Sequence, residues 1–369
     1  MSTTTDTARQ PLDQVGVSSI CYTRCPVPTA SSVAITGGWL DREFEADQIA
    51  VRSLAESPEP ALRDAHYTHA HPALFREGGV VPPLWARSVA QSNVLIGLAR
   101  VDQFQGLVAL RGSRLAESGD LRRARIALPA RPGRHIDFSR AISWHGIQTV
   151  LAVAGCQEAD VTLVDVPWDE DFISHEAGSS GASLYTAREN VRLYTAEVLA
   201  LVRGEVDAIY AVGPHALATA ALIDAVPLAG SATNADQHAG SPSHLRILTV
   251  STQLAQTRTD LVARYIYGLL RASASAAARP SSAWRIIAAE VGVAEEWAQA
   301  AYARQTVADL RPQIADDLLD TLQNRSDFLY ERGFIPHPVD VREWLDPGPL
   351  RNALTRYREQ RSTKGEDRS

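Results

Sequence analysis

Residues 22–30, YTRCPVPTA, place Cys25 between Arg24 and the stiff pair Pro26 and Pro28. A thiolate is a strong nucleophile and a thiol a usable acid, and both respond to neighbouring cations and hydroxyls. Arg24 is positioned to lower the thiol pKa, and Thr23 to hydrogen-bond the sulfur. The prolines stiffen the following backbone, which helps hold a reacting atom in place. The bland alternative is inert packing, since free cysteine is among the most buried residue types. A second segment, DAHYTHAHPALFREGGVVPPL (64–84), carries His66, then Arg76 ten residues later, then Gly78 and Gly79. Arginine offers a planar fork of donors suited to an oxyanion, and a glycine N–H can approach a ligand with no Cβ in the way. Thiol, imidazole and oxyanion clamp together suit chemistry at an acidic sulfur, carboxyl or phosphoryl group. A metal site is the other arrangement: Cys21 and Cys25 are spaced C-x3-C, and His66, His69 and His71 cluster nearby. That spacing is looser than zinc-ribbon pairs, and neither HExxH nor a second cysteine pair completes it.

The whole chain narrows the classes. It has 369 residues, 45% hydrophobic and 21% charged, with a net charge of −7 and no long block of either sign. A phosphate backbone needs a basic face, so nucleic acid is not an expected partner. No window reaches the roughly 20 apolar residues of a membrane helix. The start, MSTTTDTARQPLDQ, lacks a secretory pattern, and the three cysteines Cys21, Cys25 and Cys156 are an odd number. A cytoplasmic setting with reduced thiols is expected, with no cofactor and, absent any heptad or long apolar edge, a monomer.

These residues must be positioned by an α/β fold. Apolar runs at 94–100, 106–111, 124–130, 161–167, 206–212 and 245–251 read as strands covered on both faces. Ile147, Val150, Leu151 and Ala154 recur at helical spacing before Gly155, and Val191, Tyr194, Val198 and Leu201 mark a second helix. The C-terminal third is mostly helical, with RASASAAARPSS (271–282) a helix end entering a loop and 169–190 a Gly/Ser-rich bend suited to a lid or equally to an ordinary surface loop.

The stretch GLVALRGSRLAESGDLRRARIALPARPG (106–133) resembles the domain crossing of type 2 periplasmic-binding-protein-like folds, VDAIYAVGPHALATA (206–220) their return crossing, and FLYERGFIPHPVDVREWLDPGPL (328–350) the C-terminus of the sulfonate-binding branch. This implies two α/β lobes, 1–110 with 213–369 and 111–212, and a ligand cleft between them. CYTRCPVPTASSV…GGWLD followed by HYTHAHPALFREGGVVPPL resembles the 2'-hydroxybiphenyl-2-sulfinate desulfinases of dibenzothiophene desulfurisation. The resemblance implies Cys25 as catalytic thiol, as acid or nucleophile, with His66 beside it. Arg76 and the Gly79 N–H would hold the sulfinate oxygens of a small aryl sulfinate. Thr23 stands at a family serine, Tyr67 replaces a phenylalanine, and Trp144 matches a tryptophan lining the aromatic pocket. Arg24 replaces an asparagine, and His69 and His71 other polar residues, so substrate preference is open. The rivals are a solute-binding protein for a sulfonate-like or aromatic anion, an enzyme for another sulfinate, and a metal-dependent hydrolase using the histidines.

Overall fold

The computed structural model describes residues 17–133, 135–168, 178, 181, 183–184, 192–228 and 245–366. The expected lid at 169–190 lies almost wholly outside them, as does Val191. Two five-stranded mixed sheets organise the chain. The first contains β1 (Ser19–Arg24), β2 (Ala50–Ser53), β3 (Leu74–Gly78), β4 (Asn93–Arg100) and β10 (Leu245–Ser251), in the order β2-β1-β3-β10-β4. The second contains β5 (Gln105–Leu110), β6 (Arg125–Ala130), β7 (Thr162–Pro167), β8 (Ala208–Val212) and β9 (Ala225–Pro227), in the order β7-β6-β8-β5-β9. In each sheet three strands run parallel and an antiparallel strand continues the sheet on one side. Each sheet is the centre of one α/β lobe, the two-lobed type 2 arrangement that the sequence resemblance implies.

All six apolar runs form strands. β4 and β10 are buried along most of their length, but β7 is an edge strand with Thr162, Asp165 and Pro167 exposed. The second sheet also extends beyond 111–212: β5 lies before that interval, β9 beyond it. The chain enters this sheet after β4 and leaves it only after β9. The segment 206–220 therefore stays with the second sheet instead of forming the return.

The missed strands are instructive. β1, β2 and β3 carry Arg24, Arg52, Arg76 and Glu77, and pattern reading sends charges to the surface. Arg76 and Glu77 are nonetheless buried. The Glu77 carboxylate accepts from the N–H groups of Ser31 (2.7 Å) and Ala30 (3.3 Å), which open α1 (Ala30–Thr36). Hydrogen bonding on this scale is what permits a buried carboxylate.

Six helices frame the site: α2 (Ala65–Thr68), α3 (Val81–Ala90), α4 (Phe138–Val153), α5 (Thr195–Val202), α6 (Gly213–Leu222) and the long α7 (Thr259–Ala278). α4 ends as the spacing predicts, with Gly155 left-handed at φ 66°. α7 buries Leu261, Val262, Tyr265, Ile266, Leu269 and Leu270 at helical intervals, and Tyr265 stacks on Phe75 of β3 at 3.8 Å between ring centroids. Such a pair adds about 0.5–1.5 kcal/mol beyond its buried area and locks the helix to the site-bearing strand. The expected loop after 271 is absent. α7 continues to Ala278 and α8 (Pro280–Val291) begins one residue later, with Pro280 in the first turn, where a missing N–H does no harm. α9 (Asp316–Glu331) and α10 (Gly348–Glu366) complete the C-terminal third.

Candidate active site

Cys25 follows directly on β1, and its N–H extends the ladder to Glu77 O at 3.1 Å. Because β1 and β3 are parallel with Thr23 opposite Arg76, the thiol arrives beside Gly78 at the same sheet edge. That approach requires glycine. A Cβ at Gly78 would stand 2.5 Å from Cys25 Sγ and 2.8 Å from its Cβ, whereas one at Gly79 would meet nothing within 4 Å.

Arg76 organises the centre. Its Nε donates to His66 O (3.2 Å), Nη1 to Gly79 O (2.9 Å) and Nη2 to Cys25 Sγ (3.3 Å), with Nη2 also 3.4 Å from His66 Nε2. The short α2 thus sits on the guanidinium through the His66 carbonyl. His66 Nε2 is 4.0 Å from the sulfur, and its Nδ1 is 2.8 Å from Thr23 Oγ1. A guanidinium only donates, so Nε2 facing it is the bare nitrogen and Nδ1–H donates to Thr23. Burial first, then the Arg76 charge, holds the His66 pKa well below its ordinary 6.5, so the ring is neutral. A protonated His66 does not share this site at neutral pH.

Several partners differ from expectation. Thr23 binds the imidazole instead of the sulfur. Arg24 is held bidentately by Glu290 (2.7 and 2.8 Å), both side chains nearly buried, so its charge is committed away from the thiol. Gly79 lines the cavity and engages Arg76 through its carbonyl. His69 donates through Nε2 to Thr249 (3.0 Å), which itself donates to Arg76 O, and His71 Nδ1 accepts from Ala73 N–H (3.1 Å). The three imidazoles diverge, and among the described residues no three His, Cys, Asp or Glu are grouped to hold a metal. Tyr67 is buried with its ring edge-on to His66 (5.2 Å) and is not among the cavity walls. Trp144 does not line the cavity either. Its indole N–H donates to Glu158 (3.0 Å) and Arg332 covers its ring, while Phe138, Ser139, Ile142 and Ser143 of the same helix face inward. Cys21 is pushed up to about 11 by burial, an unreactive thiol.

The cavity measures about 220 Å³ and lies between the sheets, bounded by Cys25, Arg76 and Gly79 on one side and Tyr210 and Val212 on the other. It is somewhat smaller than the roughly 300–1,000 Å³ of most small-molecule sites and is walled largely by apolar groups. Gly146 on α4 lets the Tyr210 ring pack against the helix, since a Cβ there would lie 2.0 Å from Cζ. Arg246 and Arg325 also line it, as does Glu197, which is bonded to Arg131. Arg246 interrupts an apolar strand, and Arg325 stands at the spacing of Leu322 and Leu329. A charge on an apolar face was the available signal for both. A larger surface depression of about 870 Å³ beside Trp39 and Arg279 holds no thiol or imidazole.

No family model matches the sequence. The chain is 27% identical over 379 aligned positions to 2'-hydroxybiphenyl-2-sulfinate desulfinase from Rhodococcus erythropolis, covering 94% of this chain and 96% of that one. It is similar to a desulfinase. The Rhodococcus qingshengii enzyme of the same name aligns equally well. Among solved structures, the desulfurization enzyme DSZB superposes with a TM-score of 0.70 at 23% identity, covering 92% of this chain and 99% of that one. A cysteine-to-serine variant of DSZB in complex with biphenyl-2-sulfinic acid gives 0.69. The periplasmic aliphatic sulphonate binding protein SsuA from Escherichia coli gives 0.59 at 13% identity, covering 89% and 92%. The resemblance read from the two motif segments therefore extends over nearly the whole chain.

Two predictions follow from this geometry. Gly78→Ala should lower stability by about 1–3 kcal/mol, the usual effect of overpacking, while Gly79→Ala stays within about 0.5 kcal/mol in urea denaturation. Equal effects would contradict the close approach at Gly78. Burial holds His69 and His145 at about 3, against an ordinary 6.5. The unfolded chain takes up protons below about 6.5 while these folded-state rings stay neutral, so stability is full above that pH and declines toward 3. Each ring should remove roughly 1.4 kcal/mol per pH unit in that window. A flat urea midpoint from about pH 7 to 5 would contradict their burial as neutral rings.

Proposed function

We propose that this chain is an aryl sulfinate desulfinase, converting 2'-hydroxybiphenyl-2-sulfinate and water to 2-hydroxybiphenyl and sulfite. The observation that carries this reading is the Arg76 guanidinium, 3.3 Å from the Cys25 sulfur at the wall of a mainly apolar cavity. Its support is the full-length similarity to a protein of that name. A solute receptor of the same fold needs the cavity but has no use for a thiol touching the anion clamp.

Charge accounting selects the role of the thiol. With His66 neutral, a Cys25 thiolate attacking a sulfinate would place two anions beside the Arg76 cation. Cys25 as proton donor keeps the pair balanced throughout. Arg76 first faces the sulfinate. The Cys25 S–H then protonates the ring carbon, the C–S bond electrons form the new C–H bond, and neutral SO2 departs. The negative charge has moved to the Cys25 sulfur, which Arg76 already contacts. Water adds to SO2 to give bisulfite and a proton, and the proton returns to sulfur. His66 Nε2, bare and 4.0 Å away, is placed to relay it. The sum is ArSO2⁻ + H2O → ArH + HSO3⁻, with no net change of redox state, which makes the reaction a hydrolysis. The free thiol this requires supports a reducing, cytoplasmic setting.

Cys25→Ser should reduce sulfite release by about 10²–10⁴-fold, the range for loss of a positioned proton donor, while aryl sulfinate affinity stays within a few-fold. Sulfite release near the wild-type rate in that variant, or none from wild type with any aryl sulfinate, would remove the proposal.

A further inference from the structure

Arg325 is unused by this scheme. It projects from α9 into the cavity that holds Cys25 and Arg76, and it is buried. Its Nη1 donates to His145 Nδ1, an imidazole that burial and the Arg325 charge keep neutral. Its guanidinium lies 5.6 Å from the Phe328 ring, and its Nε has no hydrogen-bond partner. Among the described residues no carboxylate bonds it, and burial alone draws its pKa down to about 10. The carboxylate among the described cavity residues, Glu197, is bonded to Arg131 instead.

A buried cation without an anion is unfavourable, and a well-packed apolar residue at such a position is commonly as stable or more so. Leu322 and Leu329, one turn before and after on the same face, show that the helix packs well with apolar side chains here. The guanidinium is thus better explained by a ligand than by the fold. Arg76 supplies the clamp for one oxyanion, leaving Arg325 for another.

We infer that Arg325 binds a second acidic oxygen of the ligand, so that the cavity selects a biaryl carrying an oxyanion or hydroxyl on each ring over one with a single acid group. This rests on the aryl sulfinate reading and adds to it a residue that recognises the second ring. Its partners set the geometry: His145 orients the guanidinium edge, and Tyr210, whose hydroxyl donates to Gln105 (2.8 Å), closes the wall beside it.

Carboxylate analogues test this by binding alone, independent of turnover. Titration calorimetry of the wild-type chain would compare biphenyl-2-carboxylate, 2'-hydroxybiphenyl-2-carboxylate and biphenyl-2,2'-dicarboxylate. The inference expects affinity to rise in that order, with the dicarboxylate about ten- to a hundredfold tighter than the monocarboxylate, the usual range for one charged hydrogen-bonded contact. In Arg325→Met the gap should close while biphenyl-2-carboxylate binds within threefold of wild type. Equal affinities in the wild type would overturn the inference whether or not the variant folds, as would a gap that survives in a folded variant. Binding of none of the three would instead overturn the biaryl sulfinate reading, and the inference with it.

Discussion

A guanidinium shut away from water must find acceptors, and Arg76 finds its acceptors among the residues that would do the chemistry. One side chain donates to the His66 carbonyl, to the Gly79 carbonyl and to the Cys25 sulfur, and faces the bare nitrogen of the His66 ring. Satisfying one charge therefore places a helix, a turn and a thiol together. Hydrogen bonds to a charged group are each worth about 1.5–3 kcal/mol, and leaving any of them unmade inside the protein is expensive, so the arrangement is held firmly. Burial, and then the same charge, keeps His66 neutral, and in the proposed reaction the guanidinium would face the negative charge both on the sulfinate and on the sulfur.

The two sheets exist, from the site's viewpoint, to bring two sets of strand ends to one cavity. β1 and β3 run parallel and lead directly into Cys25 and Gly79, and β8 of the second sheet contributes Tyr210 and Val212. Ligands in open α/β sheets commonly sit beyond the carboxyl ends of parallel strands, where backbone groups are not used up by the ladder. Helix α6 then ties the two halves: His215 Nε2 donates to Val291 O (2.9 Å), and Ala216 and Ala220 share a core with Ala301. A solute receptor and an enzyme can share this frame. What would favour the enzyme here is a thiol directly after β1 and a glycine opposite it that leaves room for the sulfur.

The types and spacing of Cys25, His66, Arg76 and Gly79 offered a thiol, an imidazole and an oxyanion clamp beside packing and metal alternatives, and the family resemblance chose among them. Spacing establishes proximity but not direction. Thr23 and Arg24 immediately precede Cys25 in the chain, yet β-strand alternation sends their side chains to His66 and to Glu290 on α8. Helix phase misled in the same way at Trp144, one residue and about 100° round α4 from the inward-facing Ser143. The fold was read best where strands are purely apolar and missed at β1 and β3, because the residues that make the site are the charges that disguise those strands. Arg246 and Arg325 were hidden by the same rule, lying in elements whose neighbours are apolar and whose purpose emerges only when distant segments meet.

The central claim, that a buried Arg76 fixes a neutral His66 with its bare Nε2 toward the thiol, is most directly tested by nitrogen NMR of protein labelled with 15N-histidine, the His66 signals assigned from a His66→Gln spectrum. The account predicts an Nδ1-protonated ring whose Nε2 stays unprotonated as the pH falls through the ordinary imidazole value of 6.5. An Nε2-protonated tautomer, or an imidazolium already present at neutral pH, would contradict it.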